Sequence, residues 1–387
     1  MAYTKLFTSE SVSPGHPDKI CDIISDAVVD ALLTINENAT AAIDCLATKD
    51  LLIISGETNI PENQLPDIKE IARNVIKEVG YTKKEFGFYP EVEIKLIIKP
   101  QSSDISQAVF KKEQGAGDQG IMFGYACNET KEYLPLPFVL ANEIMHEATK
   151  QFRNGQFKHA RPDMKSQVTV DYSSKPYTVH TALISVQHDD IQGKEYADFL
   201  SYIKKNILDK VIVEEYGLNA DYKAIINPSG KFIKGGPESD TGLTGRKIIV
   251  DTYGGVAHHG GGAFSGKDCS KVDRSAAYML RYIAKNIVAT KLAEKIEIEV
   301  SYAIGKPEPL SISVDDFGTG KLKENQYIEL INKLFDLRPS CIVVQLDLKK
   351  PIFKRTASFS HFCRVNEEFT WERLDKVEEI KKYLASN

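Results

Sequence analysis

The order of its apolar patterns is what most constrains this chain. From Asp18 to Ile35, the residues Ile20, Ile23, Ile24, Ala27, Val28, Ala31, Leu32 and Ile35 recur at the spacing of one helix face, with Ser13 and Pro14 ahead as start signals. Strand-like runs follow at once, Ala41 to Leu46 and Leu51 to Ser55, then a helical stretch, Asn63 to Val79, and another strand, Val92 to Ile98. Further on, Gln167 to Val170, Val179 to Val186, Lys247 to Val250, Ile296 to Tyr302 and Cys341 to Leu346 read as strands. Phe138 to Asn154, Tyr196 to Val211, Ser275 to Leu292, Glu324 to Leu334 and the tail from Leu374 read as helices. Several strands are half polar and strict strand–helix units are missing, so the pattern predicts α+β layers rather than a doubly wound parallel sheet.

A chain of 387 residues holds two or three domains at about 100–200 residues each. Pro/Gly punctuation around 99–120 and 227–245 puts boundaries close to residues 110 and 235. No sequence repeat or low-complexity segment is found. Lys plus Arg number 49 against 54 Asp plus Glu, which argues against a surface that neutralises nucleic-acid phosphates. No stretch approaches the roughly 18 uninterrupted apolar residues that span a bilayer, and the N-terminus has no signal-peptide pattern, so a cytoplasmic protein without a membrane partner is expected. The six cysteines lie far apart and read as reduced, mostly buried thiols.

The near-neutral total hides an uneven distribution. Between Asn227 and Lys285 there are nine Lys/Arg, five Asp/Glu and 11 of the 25 glycines. A basic, glycine-rich stretch in an acidic chain reads as an anion site, because glycine lets backbone amides approach a ligand closely. Within it, Gly261 to Lys267 matches the spacing of a phosphate-binding loop, but Asp268 follows where such a loop needs a hydroxyl for magnesium. Gly115 to Gly120 matches a dinucleotide motif without the apolar strand that should precede it. Both ordinary readings fail. What remains is backbone amides and Lys267 at a turn before a helix, an arrangement suited to polyphosphate.

Near the N-terminus, Gly15-His16-Pro17-Asp18-Lys19 puts an imidazole, a carboxylate and an ammonium at the mouth of the first helix, with Asp18 placed as a magnesium ligand. Asp18, Asp22, Asp26 and Asp30 form one stripe, and Asp26 and Asp30 are read as a solvated face. Lys271 and Asp273 stand at the entrance of the next helix, where simple helix-start charge placement and a functional role weigh equally. Adjacent His258 and His259 point to opposite sides of an extended chain and are not expected to share a metal.

The chain resembles the methionine adenosyltransferase (S-adenosylmethionine synthetase) family over nearly its whole length. The resemblance is carried by Ser9-Glu10-Ser11-Val12 leading to Gly15-His16-Pro17-Asp18-Lys19, by Gly115 to Tyr125 and by Arg161-Pro162-Asp163-Met164-Lys165. It continues through Asp240 to Lys247 and Gly260 to Asp268. It implies three similar α+β domains around a pseudo-threefold axis, with helices on the outer face of the sheets, here divided 1–110, 111–235 and 236–387. It also implies attack of the methionine sulfur on C5′ of ATP, with the displaced triphosphate hydrolysed to pyrophosphate and phosphate.

By resemblance, His16, Arg246, Lys247, Lys267 and Lys271 hold the polyphosphate or its surroundings, Ala263 adds a loop contact, and Asp18 and Asp273 carry two magnesium ions. Asp163 and Lys165 fall near the adenine, Lys231 and Phe232 in the nucleoside turn, and Asp240 at the ribose and methionine. His16, Lys165, Arg246, Lys267 and Lys271 form the catalytic set. Glu57, Gln101 and Asp118, with Asp240 and Lys271, meet methionine. Asp44 stands where the family usually has a glutamate for potassium, one methylene shorter; the segment from Gln101 to Gly115, a mobile loop in the family, is shorter here; and the residues after Glu57 differ. The family implies a homodimer with shared active sites, dimers pairing into a homotetramer. The rivals are a tripolyphosphatase or ATP hydrolase, separated by methionine-dependent product, and a non-catalytic regulatory subunit, which would lack one of Asp18, Lys165, Lys267 or Asp273.

Overall fold

The computed structural model describes residues 5–100, 115–364 and 369–386. The chain runs three times through one sequence of elements. The first pass is β1 (Leu6–Val12), α1 (Pro17–Ile35), the hairpin β2 (Ala41–Thr48) and β3 (Leu51–Thr58), α2 (Ile68–Val79) and β4 (Glu93–Pro100). The second is β5 (Gly120–Cys127), α3 (Leu136–Arg153), the hairpin β6 (Ala160–Asp171) and β7 (Thr178–His188), α4 (Gly193–Tyr202) continuing into a π-helical stretch (Ile203–Glu215), and β8 (Lys223–Ile226). The third is β9 (Gly242–Leu243), a short α5 (Ile248–Asp251), α6 (Val272–Ala289), the hairpin β10 (Lys295–Tyr302) and β11 (Ser311–Asp315) and α7 (Glu324–Leu334). It then continues into α8 (Pro339–Gln345) and α9 (Val377–Ala385).

The first strand of each pass leaves its own sheet and joins the next. β1 pairs antiparallel with β6, β5 with β10, and β9 closes the circle by pairing with β2. The sheets are therefore β4-β3-β2-β9, β8-β7-β6-β1 and β11-β10-β5, with β4 and β8 parallel to their neighbours. This cyclic exchange gives the α+β threefold arrangement a topological basis that residue similarity alone did not reveal. Each sheet packs its helices on one side: alternate β2 residues Ala41, Ile43, Cys45 and Ala47 are buried in the core that contains Ile20, Ile24 and Val28 of α1. The opposite side of the first sheet carries Asp44, Leu46, Ile53 and Glu57, which are partly or fully exposed. Among the described residues no helix is long and apolar enough to cross a membrane.

Three local expectations are corrected. Lys247 to Val250 does not extend as a strand; Lys247 precedes the helical turn α5, closed by the Asp251 amide on the Lys247 carbonyl at 2.9 Å. Cys341 to Leu346 falls in α8 and the residue after it, because Pro339 at the first helical position pre-sets the backbone, and a short apolar run fits helix and strand alike. Asp26 and Asp30 are not a solvated face. α1 is covered on nearly every side, and Asp26 is fully buried against Arg274, while Asp30 accepts from the Phe353 and Lys354 amides at 2.9 Å each.

Candidate active site

The aspartate stripe of α1 organises the candidate site. Successive carboxylates accept the amides of successive loops: Asp18 from Leu243 at 3.0 Å, Asp22 from Gly245 at 2.8 Å, Asp26 from Gly266 at 2.9 Å. Both cation-bearing loops of the glycine-rich segment are thus fixed to one helix, at positions about 6 Å apart along its axis per four residues.

The first group of candidates gathers at the N-terminus of α1. The turn before it is stitched to β6, with the Ser13 hydroxyl donating to the Pro162 carbonyl at 2.7 Å and accepting from the Met164 amide at 2.9 Å. That brings His16 within reach of the Lys165 charge. His16 caps the helix, its Nδ1 accepting from the Asp18 amide at 3.1 Å, which leaves Nε2 to carry the proton. Burial first, then the charges of Lys247 and Lys165, push its pKa down to about 3, so the ring is a neutral donor at physiological pH. Lys247 reaches Asp18 Oδ2 at 2.7 Å, and Arg246 stands 3.9 Å from Oδ1. Burial pulls the Asp18 carboxyl up, but the bonds from Lys247 and the Leu243 amide outweigh it and hold the group below the usual carboxylate range. Asp163 is buried and accepts from the Gly236 amide at 2.8 Å through one oxygen, while its other oxygen, Oδ1, has no partner. Burial raises its pKa to about 6. Asp240 is exposed and close enough to raise Asp163 further.

The second group surrounds Lys267. Its ammonium meets Asp273 Oδ2 at 2.5 Å, and its backbone bridges to Ala42 on β2. Register places Ala42 opposite Glu57 and Asp44 opposite Ser55, so Asp44 and Glu57 are diagonal neighbours on the open side of the sheet. Burial raises the Asp44 carboxyl, Lys267 opposes that and Glu57 adds to it. Lys271 pairs with Asp268, which also accepts the Ala41 amide at 2.7 Å and the Ser270 amide at 2.7 Å. The residue that spoils the phosphate-loop motif is therefore a structural anchor. No side chain caps the start of α6, where the Arg274 and Ser275 amides both donate to the Lys271 carbonyl at 3.1 Å.

Several candidates sit outside both groups. Lys231 is exposed and pairs with Asp190 at 3.4 Å, and the Phe232 backbone is held by His188 at 3.1 Å. Ala263 lies between the groups, where a Cβ on Gly245 would come within 2.6 Å of its own. Asp118 is exposed and accepts from the Gln119 amide at 2.8 Å. Gly115 to Gly120 leads into β5 rather than into a helix, in keeping with the rejection of a dinucleotide loop. Gln101 and the segment as far as 114 lie outside the described residues. Among the described residues no hydrogen bond or ion pair joins the His16, Asp18 and Lys247 group to the Lys267, Asp273 and Glu57 group. Sequence reasoning placed Lys19 at the helix mouth and Asp22 in the stripe but missed that both, with Arg274, are buried and secure the loops; the four-residue period of the aspartates was the signal.

No group of three or more His, Cys, Asp and Glu side chains among the described residues could hold a metal on its own. Asp18 and Asp273 nevertheless suit magnesium, which takes one or two carboxylates and completes its shell with phosphate oxygens and water. The donor chemistry fits, each carboxylate now facing a lysine that a phosphate could engage instead.

Three strand-sharing α+β units, with cations on glycine-rich loops, define an enzyme class that handles a polyphosphate by charge and alignment. Comparison with known proteins narrows this. Residues 4–103, 113–232 and 234–373 match the N-terminal, central and C-terminal domains of S-adenosylmethionine synthetase. The chain is 52% identical to the S-adenosylmethionine synthase of Mesoplasma florum over 382 residues, covering 98% of this chain and 100% of that one. It is 51% identical to that of Mycoplasma capricolum subsp. capricolum, covering 98% and 97%, and 47% identical to that of Clostridium botulinum, covering 98% and 100%. The chain belongs to the S-adenosylmethionine synthetase family.

Proposed function

We propose that this chain makes S-adenosylmethionine from ATP and L-methionine, the sulfur attacking C5′ of ATP and displacing the whole triphosphate, which is then hydrolysed to pyrophosphate and phosphate. A thioether is nucleophilic without losing a proton, so the first step needs alignment and stabilisation of charge on the leaving triphosphate, not a base. The observation that carries this reading is the fixing of two cationic loops, one with Arg246 and Lys247 and one with Lys267, to the α1 carboxylates.

In this reading His16 donates through Nε2 to a phosphate oxygen, and Lys165, Arg246, Lys247, Lys267 and Lys271 offset the triphosphate charge. Ala263 lines the phosphate loop. The unpartnered Asp163 Oδ1 is an acceptor suited to the adenine amino group, with Lys231 and Phe232 bordering the base and Asp240 the ribose. Glu57 suits the methionine ammonium, joined by Gln101, Asp118, Asp240 and Lys271. Asp18 and Asp273 would hold two Mg2+, which would supply positive charge against the repulsion within the triphosphate, and K+ is assigned to Asp44, where it would ease the repulsion from Glu57.

Asp18 and Asp26 are eight residues apart on α1, about 12 Å along the axis, so the groups they anchor are separated within one chain. This supports a homodimer in which the first group of one copy faces the second group of its partner, with dimers forming a homotetramer and the monomer inactive. Domain limits at 1–110, 111–235 and 236–387 and a cytoplasmic location complete the proposal. The test is a mass-spectrometric assay with ATP, methionine and magnesium, with and without potassium. A sulfonium product that requires methionine is expected, and phosphate release without it would favour a hydrolase.

A further inference from the structure

Arg274 lies in the first turn of α6 and Asp26 on α1, and both are fully buried, so neither can touch a substrate. Their side chains form two parallel bonds, Nη1 to Oδ1 and Nη2 to Oδ2, each 2.7 Å. The remaining bonding capacity of the pair goes largely to one loop. Asp26 Oδ1 also accepts the Gly266 amide at 2.9 Å, and Arg274 Nη1 donates to the carbonyls of Phe264 at 3.0 Å and of Lys267 itself at 2.9 Å. Nε and Nη2 are steadied by the Tyr278 hydroxyl at 3.0 Å and the Thr356 hydroxyl at 3.3 Å, and the guanidinium lies 4.0 Å from the centre of the Phe353 ring.

Gly266 has φ +82°, and a Cβ there would lie 1.9 Å from the Ile43 carbonyl oxygen, so the loop is pressed against β2 while the pair holds it from below. The backbone is fixed on both sides of the Lys267 Cα. A buried ion pair is weak evidence of a stabilising role, since apolar replacements of similar volume are often as stable. Its planar fork, by contrast, fixes direction.

We propose that the buried Asp26–Arg274 pair is a positioning unit for the known reaction, aiming the Lys267 ammonium at the leaving triphosphate; the proposal rests on the polyphosphate role of Lys267 given above. Arg274→Lys keeps the charge but loses the fork. It is expected to lower kcat by about tenfold to a hundredfold, the scale of an ångström-sized misplacement, with methionine KM within about threefold of the wild type. In a Lys267→Ala background the same change should leave the residual kcat within about twofold, because the group being aimed is gone.

The double variant Asp26→Leu/Arg274→Met tests the case in which Arg274→Lys fails to fold, since an apolar pair can replace a buried ion pair without loss of stability. It is expected to fold, by circular dichroism, and to lose kcat to the same degree. Wild-type kcat in the folded double variant, or losses from Arg274→Lys and Lys267→Ala that multiply, would overturn the positioning role. An unchanged kcat in Lys267→Ala alone would instead overturn the reading of Lys267 on which it rests.

Discussion

Gly242 is where β9 comes closest to the mouth of α1, and replacing it with alanine tests whether the site depends on that approach. A Cβ at this position would lie 2.1 Å from the Pro17 carbonyl oxygen and 2.9 Å from the Asp18 amide nitrogen. A carbon–oxygen contact relaxes near 3.4 Å, so β9 must retreat by about 1.3 Å. Carried to the next residue, that retreat stretches the Leu243 bond to Asp18, now 3.0 Å, to about 4 Å, beyond hydrogen-bond reach. Loss of a bond to a charged group, with local overpacking, costs about 2–4 kcal/mol. The chemical step suffers more, because Arg246 and Lys247 ride on the displaced segment: kcat should fall about a hundredfold. Steady-state kinetics and urea unfolding of the full chain measure both effects. Gly155→Ala is the control, since φ there is +75° with nothing within 4 Å of the new Cβ. It should cost about 1–2 kcal/mol of stability with no kinetic change. A folded Gly242→Ala protein with kcat within about threefold of wild type would refute the coupling of β9 to the site.

Lys267→Ala should lower kcat by about a hundredfold to a thousandfold, the scale for removing one preorganised partner of developing charge, while methionine KM changes little; steady-state kinetics decide. Asp18→Asn should raise the magnesium concentration needed for half-maximal rate, read from a magnesium titration at fixed ATP, and an unchanged titration would remove Asp18 as a ligand. For His16, the folded pKa of about 3 lies below the unfolded value of 6.5. The unfolded state therefore binds more protons between them, and stability is full above pH 6.5 and lost as pH falls toward 3. Urea midpoints should drop less between pH 7 and 5 in His16→Gln than in the wild type. Asp44→Glu restores the methylene, and rate measurements in potassium against sodium should show a larger potassium effect than in the wild type.

The α+β class was legible because half-polar strands such as Val179 to Val186 and long amphipathic helices such as Phe138 to Asn154 declare their own period. The strand exchange was not, since β9 is two residues long and β1 and β5 are edge strands whose partners lie 160 residues or more away for Leu6, paired with Asp171, and for Cys127, paired with Lys295. Of the candidate site, His16, Asp18 and Lys267 stood out as polar residues in glycine-bearing turns, Asp273 only as one of two equal readings at a helix entrance, and Lys247 only through the family resemblance. Asp26 was misread because a four-residue repeat of like charge normally marks a wet face. Here every member of the stripe instead meets backbone amides or a buried cation, which only the folded loops can supply.

The shared strands and the site have one geometric cause. β9 joins the first sheet through two residues, Gly242 and Leu243, and its neighbours on either side are Asp240 and the Arg246–Lys247 pair. The third pass of the chain therefore delivers its cations to the first pass at the seam where the sheet closes the circle. Lys19, fully buried, tightens that seam from within, contacting Asp22, which holds the Gly245 amide, and Asp251 at the end of α5. The segment carrying Arg246 and Lys247 is thus held at both ends through one ammonium. Cutting the chain near 110 would take β1 from the second sheet and β9 from the first, and cutting it near 235 would take β5 from the third and β9 from the first; either cut parts the Arg246–Lys247 segment from its anchor on α1. Fold closure and site assembly are in this sense the same event.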